Sequence, residues 1–130
     1  QRRGAGMSGK MILYVEDNEP NRVMLRDLLK RTTYQLMEAE DGEAGVAAAL
    51  ESPPDLILMD IQLPKLSGLD AMRRIRAEAA TANTPIIAIT SFALSGDEKK
   101  AKEAGATAYL TKPYSPSGLL RLIRTLLPEA

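Results

Sequence analysis

The sequence has no cysteine and no histidine. Without cysteine there is no disulfide, thiolate zinc site or thiol nucleophile, and without histidine there is no Ser-His-Asp triad or imidazole base. The chain therefore carries no phosphohistidine of its own, and any such group must belong to another protein. Neither sign of charge predominates. Lys+Arg and Asp+Glu stand at 17 each, which leaves no broad basic field for nucleic acid or anionic lipid. No apolar run approaches the roughly 18 to 20 residues that span a bilayer, and the N-terminus lacks the apolar core of a signal peptide. The expected location is the cytoplasm and the expected partners are proteins, with no direct nucleic-acid or membrane contact. Chemistry is left to carboxylates, hydroxyls, lysine and hard metals bound through oxygen.

The 130 residues, 45% hydrophobic and 26% charged, fit one globular domain with a single core. Gln1 to Gly6 show no periodic pattern, and a natural start at Met7 makes residues 1–6 an appended remnant or tail, with the domain at 7–130. Leaving out Arg2 and Arg3 shifts the balance to 15 basic against 17 acidic residues.

Short continuous apolar runs at Met11–Val15, Leu56–Met59 and Ile86–Ile89 predict central strands covered on both faces of a parallel sheet. The partly polar Gln35–Ala39 and Thr107–Thr111 predict edge strands. Between them lie helical patterns. The first opens with Pro20 at the N1 position and aligns Leu25, Leu28 and Leu29; the second runs from Gly42 to about Leu50; the third follows Ser67 as N-cap and aligns Leu69, Met72 and Ile75. The fourth, Gly96 to Ala104, offers only alanines to the sheet and ends at Gly105, so its anchoring is light. The last aligns Leu119, Leu122, Ile123 and Leu126. Five strands alternating with five helices predict an open three-layer α/β domain. Ligands in such sheets bind beyond the carboxyl ends of the strands.

Those ends carry the polar residues: Glu16 and Asp17 after the first strand, Asp60 at the third, Thr90 at the fourth, and Lys112-Pro113 after the fifth. Three carboxylates gathered at one end would repel one another and raise at least one pKa unless a cation compensated them. Hard oxygen ligands without imidazole or thiolate favour Mg²⁺ over zinc.

The motifs V-E-D-N at 15–18, L-M-D at 58–60, T-S at 90–91 and K-P at 112–113 resemble the receiver domain of two-component response regulators, the CheY-like superfamily. Their spacings of 43 residues from Asp17 to Asp60, 30 from Asp60 to Thr90 and 22 from Thr90 to Lys112 are similar to the family's. The resemblance covers about Lys10 to Leu127, and Thr90-Ser-Phe-Ala-Leu-Ser-Gly-Asp97 looks like the corresponding stretch of stand-alone DivK-type regulators. It implies a flavodoxin-like sheet in the order 2-1-3-4-5. Asp60 is implied as phosphoacceptor, and Mg²⁺ as held by Glu16, Asp17, Asp60 and the backbone carbonyl of Gln62, with Asp17 the more direct ligand and Glu16 reaching the ion through water. Lys112 would pair with Asp60 and then with the phosphoryl oxygens, aimed by a cis Lys112–Pro113 peptide. Thr90 and Tyr109 would switch together, and Gln62 and Phe92 would tune loss of the phosphoryl group.

The implied donor is a sensor histidine kinase or histidine phosphotransfer protein, and the readout is altered binding to a downstream protein, as a monomer or a weak phosphorylation-dependent dimer. The chain ends after its fifth helix, so no output domain is expected. The protein would be no enzyme in the ordinary sense, but a switch that assists its own phosphorylation and dephosphorylation. Two other readings compete: a pseudo-receiver adaptor that is never phosphorylated, and a Mg²⁺-dependent aspartyl phosphohydrolase. The second usually needs an acid two residues after the nucleophile, where Gln62 stands. A dinucleotide-binding module is disfavoured, because Glu-Asp-Asn-Glu replaces a glycine-rich phosphate loop after the first strand.

Overall fold

A computed structural model describes residues 9–90 and 97–129. The expected tail at 1–6 and the Phe92 position lie outside these residues. The strands are β1 (Met11–Val15), β2 (Gln35–Ala39), β3 (Leu56–Asp60), β4 (Ile86–Thr90) and β5 (Ala108–Thr111), all parallel, in the order β2-β1-β3-β4-β5. The helices are α1 (Glu19–Leu29), α2 (Gly42–Glu51), α3 (Gly68–Arg76), α4 (Asp97–Ala104) and α5 (Pro116–Leu126). This is the predicted α/β layering and strand order, with edges at β2 and β5.

Alternation along each strand divides the interior into two cores. Leu13, Val15, Ile57, Met59 and Ala88 face α2, α3 and α4, whereas Ile12, Tyr14, Leu58, Ile87 and Ile89 face α1 and α5. The central strands are buried on both sides, which is why they read as unbroken apolar runs. The helix faces differ in weight. Leu119 and Ile123 bury α5, but α4 buries only Ala101 and Ala104. A buried leucine contributes about 1.5–3 kcal/mol and an alanine methyl about 0.8, so α4 is held much more weakly, as its sequence predicts. Gly105, at φ 116°, ends it in the left-handed region.

Four helices start on the same device. Asn18, Asp41, Ser67 and Ser115 each accept a hydrogen bond from the backbone N–H three residues on. Asn18 as cap makes Glu19 the first helical residue, so Pro20 sits one position later than the predicted N1. The shift follows from the Asn18 side chain, whose oxygen takes the Asn21 N–H at 2.9 Å. A 3-10 turn at Ala79–Thr81 was not foreseen, because no apolar period marks it. The Thr81 hydroxyl, donating to the Ile75 carbonyl, closes that turn against α3.

Candidate functional site

The parallel strands deliver their last residues to one edge, and the helix caps continue it. Asp60 and Thr90 are the final residues of β3 and β4, adjacent strands paired so that Asp60 lies opposite Ile89. Glu16 and Asp17 follow β1, which pairs with β3 on its other side. Lys112 follows β5, and its backbone N–H donates to the Thr90 carbonyl at 2.7 Å. The Lys112–Pro113 peptide is cis.

One carboxylate oxygen from each of Glu16, Asp17 and Asp60 lies within 4.8 Å of the other two. Glu16 is 1% exposed and Asp60 3%, whereas Asp17 faces solvent. The Lys112 ammonium sits between the two buried acids, 2.8 Å from Glu16 Oε1 and 3.3 Å from Asp60 Oδ2. The expected Lys112–Asp60 pair is thus shared, and its shorter arm goes to Glu16. Both oxygens of Glu16 are engaged: Oε1 also accepts from the Tyr14 hydroxyl at 3.2 Å, and Oε2 accepts from the Asn18 N–H at 3.1 Å. Among the described residues, no hydrogen bond or ion pair reaches the Asp17 carboxylate. Asp60 Oδ1 accepts from the Gln62 N–H at 2.9 Å.

Burial and the Glu16 charge push the Asp60 carboxyl up to about 6, against the opposing pull of Lys112 and the Gln62 N–H. For Glu16, burial works upward too, but the Lys112 hydrogen bond and the Asn18 N–H outweigh it and hold the carboxyl below its ordinary range. Burial disfavours the Lys112 ammonium, and its two carboxylate partners more than offset that, so its pKa is raised. The site therefore holds an ionised Glu16–Lys112 pair beside a strained acid, Asp60.

Thr90 is fully buried, and its hydroxyl accepts from Gln62 Nε2 at 2.8 Å. The Gln62 side chain thus lies over the residue proposed to switch. Tyr109, half-buried on β5 opposite Ala88, packs its ring against the α2–α3–α4 core. Its hydroxyl is buried with no hydrogen-bond partner among the described residues. Gly68, first residue of α3, sits so near the end of β3 that a Cβ there would lie 2.1 Å from the Asp60 carbonyl oxygen. Only glycine lets α3 start against the Asp60 peptide.

Sequence reasoning missed three contributors. Arg22 is buried and its guanidinium donates to the Glu16 carbonyl; its place with Leu25 and Leu29 at helical spacing was the available signal. Tyr14 hid inside an apolar run, and Tyr114, beside it in the α1–α5 core, gave no local signal. Burial drives the ionisation of both phenols upward.

An open 2-1-3-4-5 sheet with an acidic cluster, a lysine and a buried threonine at its carboxyl edge defines a class, the receiver domains. The response regulator receiver domain family matches residues 12–124, so the chain belongs to that family. It is 38% identical over 121 residues to the polar-differentiation response regulator DivK of Brucella ovis, covering 93% of this chain and 98% of that one. Among solved structures, the receiver domain of a Pseudomonas aeruginosa sensor histidine kinase, with a magnesium ion coordinated in its active-site cleft, is 38% identical. It superposes with a TM-score of 0.84 over 91% of this chain and 97% of that chain. The chemotaxis protein CheY4 of Vibrio cholerae gives a TM-score of 0.86 at 28% identity, covering 92% and 99%. Among the described residues, no helix is long and apolar enough to cross a membrane.

Proposed function

We propose that the chain is a phosphoacceptor switch that takes a phosphoryl group from a partner's phosphohistidine onto Asp60 and signals by altered protein binding. The observation that carries this is the setting of Asp60: a buried carboxylate with one oxygen on the Gln62 N–H and the other facing Lys112, within 4.8 Å of carboxylate oxygens of Glu16 and Asp17. The donor set, all hard oxygen and partly buried, suits Mg²⁺. Asp17, Asp60 and the Gln62 carbonyl would hold it, with Glu16, whose oxygens are already engaged, acting through water. When bound, Mg²⁺ supplies charge neutralisation for the carboxylate and the incoming phosphoryl oxygens.

The residues supply the rest. Oriented by the Gln62 N–H on one oxygen and faced by Lys112 on the other, the Asp60 carboxylate is placed to act as the nucleophile. A carboxylate oxygen attacks phosphorus, the bond from phosphorus to the donor imidazole breaks, and the imidazole nitrogen takes a proton from solvent. Lys112 neutralises the transferred oxygens and Thr90 donates a hydrogen bond to one of them. These contacts exist only in the phosphorylated state, so they bias the equilibrium between two surfaces. The thinly anchored α4, Tyr109 and α5 form the surface that changes. The chain turns over no separate substrate, and it works in the cytoplasm.

Incubation with acetyl phosphate and Mg²⁺, followed by intact mass, tests this reading against Asp60→Asn and a chelator control. Gain of one phosphoryl group, absent in both controls, supports it. No gain by a folded, Mg²⁺-binding protein, from acetyl phosphate or from a phosphorylated kinase, refutes it.

A further inference from the structure

Arg22 is a buried arginine on the apolar stripe of α1, and its contacts lead to the acidic site from behind. Its Nη1 donates to the Glu16 carbonyl oxygen at 2.8 Å. Its Nε lies 3.3 Å from Glu38 Oε1 on β2, and Nη2 is 3.9 Å from Glu40. Glu38 is gripped in turn by Arg26, one turn further along α1, through two bonds of 2.6 and 2.9 Å. The Glu16 N–H is tied to β2 as well, donating to the Ala39 carbonyl at 2.9 Å. Both polar backbone groups of Glu16 are therefore fixed, one by the sheet and one by Arg22, immediately before the chain turns to present Asp17.

We propose that Arg22, braced by Glu38, is a positioning residue that sets the β1–α1 turn so that the Glu16 and Asp17 carboxylates converge with Asp60 on a divalent cation. The proposal rests on the reading of the site given above. A guanidinium fork reaches the carbonyl and the glutamate at once, which a lysine ammonium does not. Two other roles for Arg22 give different signs. As a mere positive charge near the cation, it would weaken Mg²⁺ binding through space, and its removal would tighten binding. As a core-filling residue only, its removal would lower stability and leave Mg²⁺ affinity as it was. As a brace, its loss lets the turn relax and weakens binding.

Calorimetric Mg²⁺ titration of the full chain, well below its melting temperature, separates the three. Arg22→Met is expected to weaken Mg²⁺ binding about tenfold, the lower end of what losing an outer hydrogen bond does to a metal site. Arg22→Lys should also weaken it, Glu38→Gln should move it the same way, and Arg22→Met with Glu38→Gln should be no weaker than Arg22→Met alone, since both act through one brace. Unchanged or tighter binding in folded Arg22→Met overturns the proposal; if that variant does not fold, Arg22→Lys, which keeps the charge, decides by the same criterion. Absence of Mg²⁺ binding in the unaltered protein overturns the site reading and the proposal together, whereas normal binding there with no change in the variants overturns the proposal alone.

Discussion

Replacing Asp60 by asparagine should stabilise the metal-free protein. The folded carboxyl keeps its proton up to about pH 6, whereas the unfolded one releases it near 3.8. Between those values the folded state holds the extra proton, so stability falls as pH rises through the window and the full cost stands above it. A shift of about 2 units at 1.36 kcal/mol each sets a ceiling of about 3 kcal/mol at neutral pH. Asparagine keeps an oxygen for the Gln62 N–H but loses the Lys112 contact, which reduces the gain to about 1–2 kcal/mol, or roughly 4–8 °C in melting temperature. Thermal and urea unfolding in chelator, followed by circular dichroism from about pH 4 to pH 8, measures it. The difference between Asp60→Asn and the unaltered protein should be small near pH 4, grow to about pH 6 and then stay level, and saturating Mg²⁺ should narrow it by stabilising the carboxylate form. A variant less stable at neutral pH, or a difference that ignores pH, would refute the claim that Asp60 is held as a strained acid.

Three further perturbations probe the same edge of the sheet. Lys112→Met leaves Glu16 and Asp60 buried without their cation, so the metal-free protein should lose about 3 kcal/mol and gain more from Mg²⁺ than the unaltered protein does; unchanged melting would contradict the shared ion pair. Gly68→Ala forces a methyl against the Asp60 carbonyl and the Ile61 Cα, backbone atoms that cannot swing aside, so a loss of about 2 kcal/mol or more and slower acetyl phosphate labelling are expected, and a silent variant would show that α3 can retreat freely. Tyr109→Phe removes a buried hydroxyl that has no partner among the described residues, so unfolding should be unchanged or gain up to about 1 kcal/mol; a clear loss would reveal a bond to that hydroxyl.

The sheet was legible because a doubly covered parallel strand must be apolar along its whole length, and Leu56–Met59 and Ile86–Ile89 are. The site residues were legible because the carboxyl ends of such strands meet at one edge, so Asp60, Thr90 and the Glu16-Asp17 pair could be gathered from order alone. What stayed hidden depends on side chains crossing between elements. That Lys112 leans to Glu16, that Gln62 reaches Thr90, and that Arg22 turns inward are outcomes of packing over 28 or more residues for the first two and of the β1–α1 turn for the third. Pro20 was misplaced by one position because the first helix is set by the Asn18 cap and not by the proline.

Charge balance ties these features together. Ionised Glu16, Asp17 and Asp60 bring three negative charges to the edge and Lys112 one positive, a net of two negative that a divalent cation cancels. On the function proposed above, conversion of the carboxylate to an acyl phosphate dianion adds about one further negative charge and places it on phosphoryl oxygens, towards which Lys112 has to turn. Lys112 can do so at little cost because its shorter contact is to Glu16: the ammonium keeps that anchor at 2.8 Å while exchanging only the longer, 3.3 Å contact to Asp60 for phosphoryl oxygens. Glu16 in turn is held by the Tyr14 hydroxyl and the Asn18 N–H, so the anchor does not follow the lysine. On the same proposal Thr90 is the group that moves, and its hydroxyl's 2.8 Å contact with the Gln62 amide is one that changes when it does.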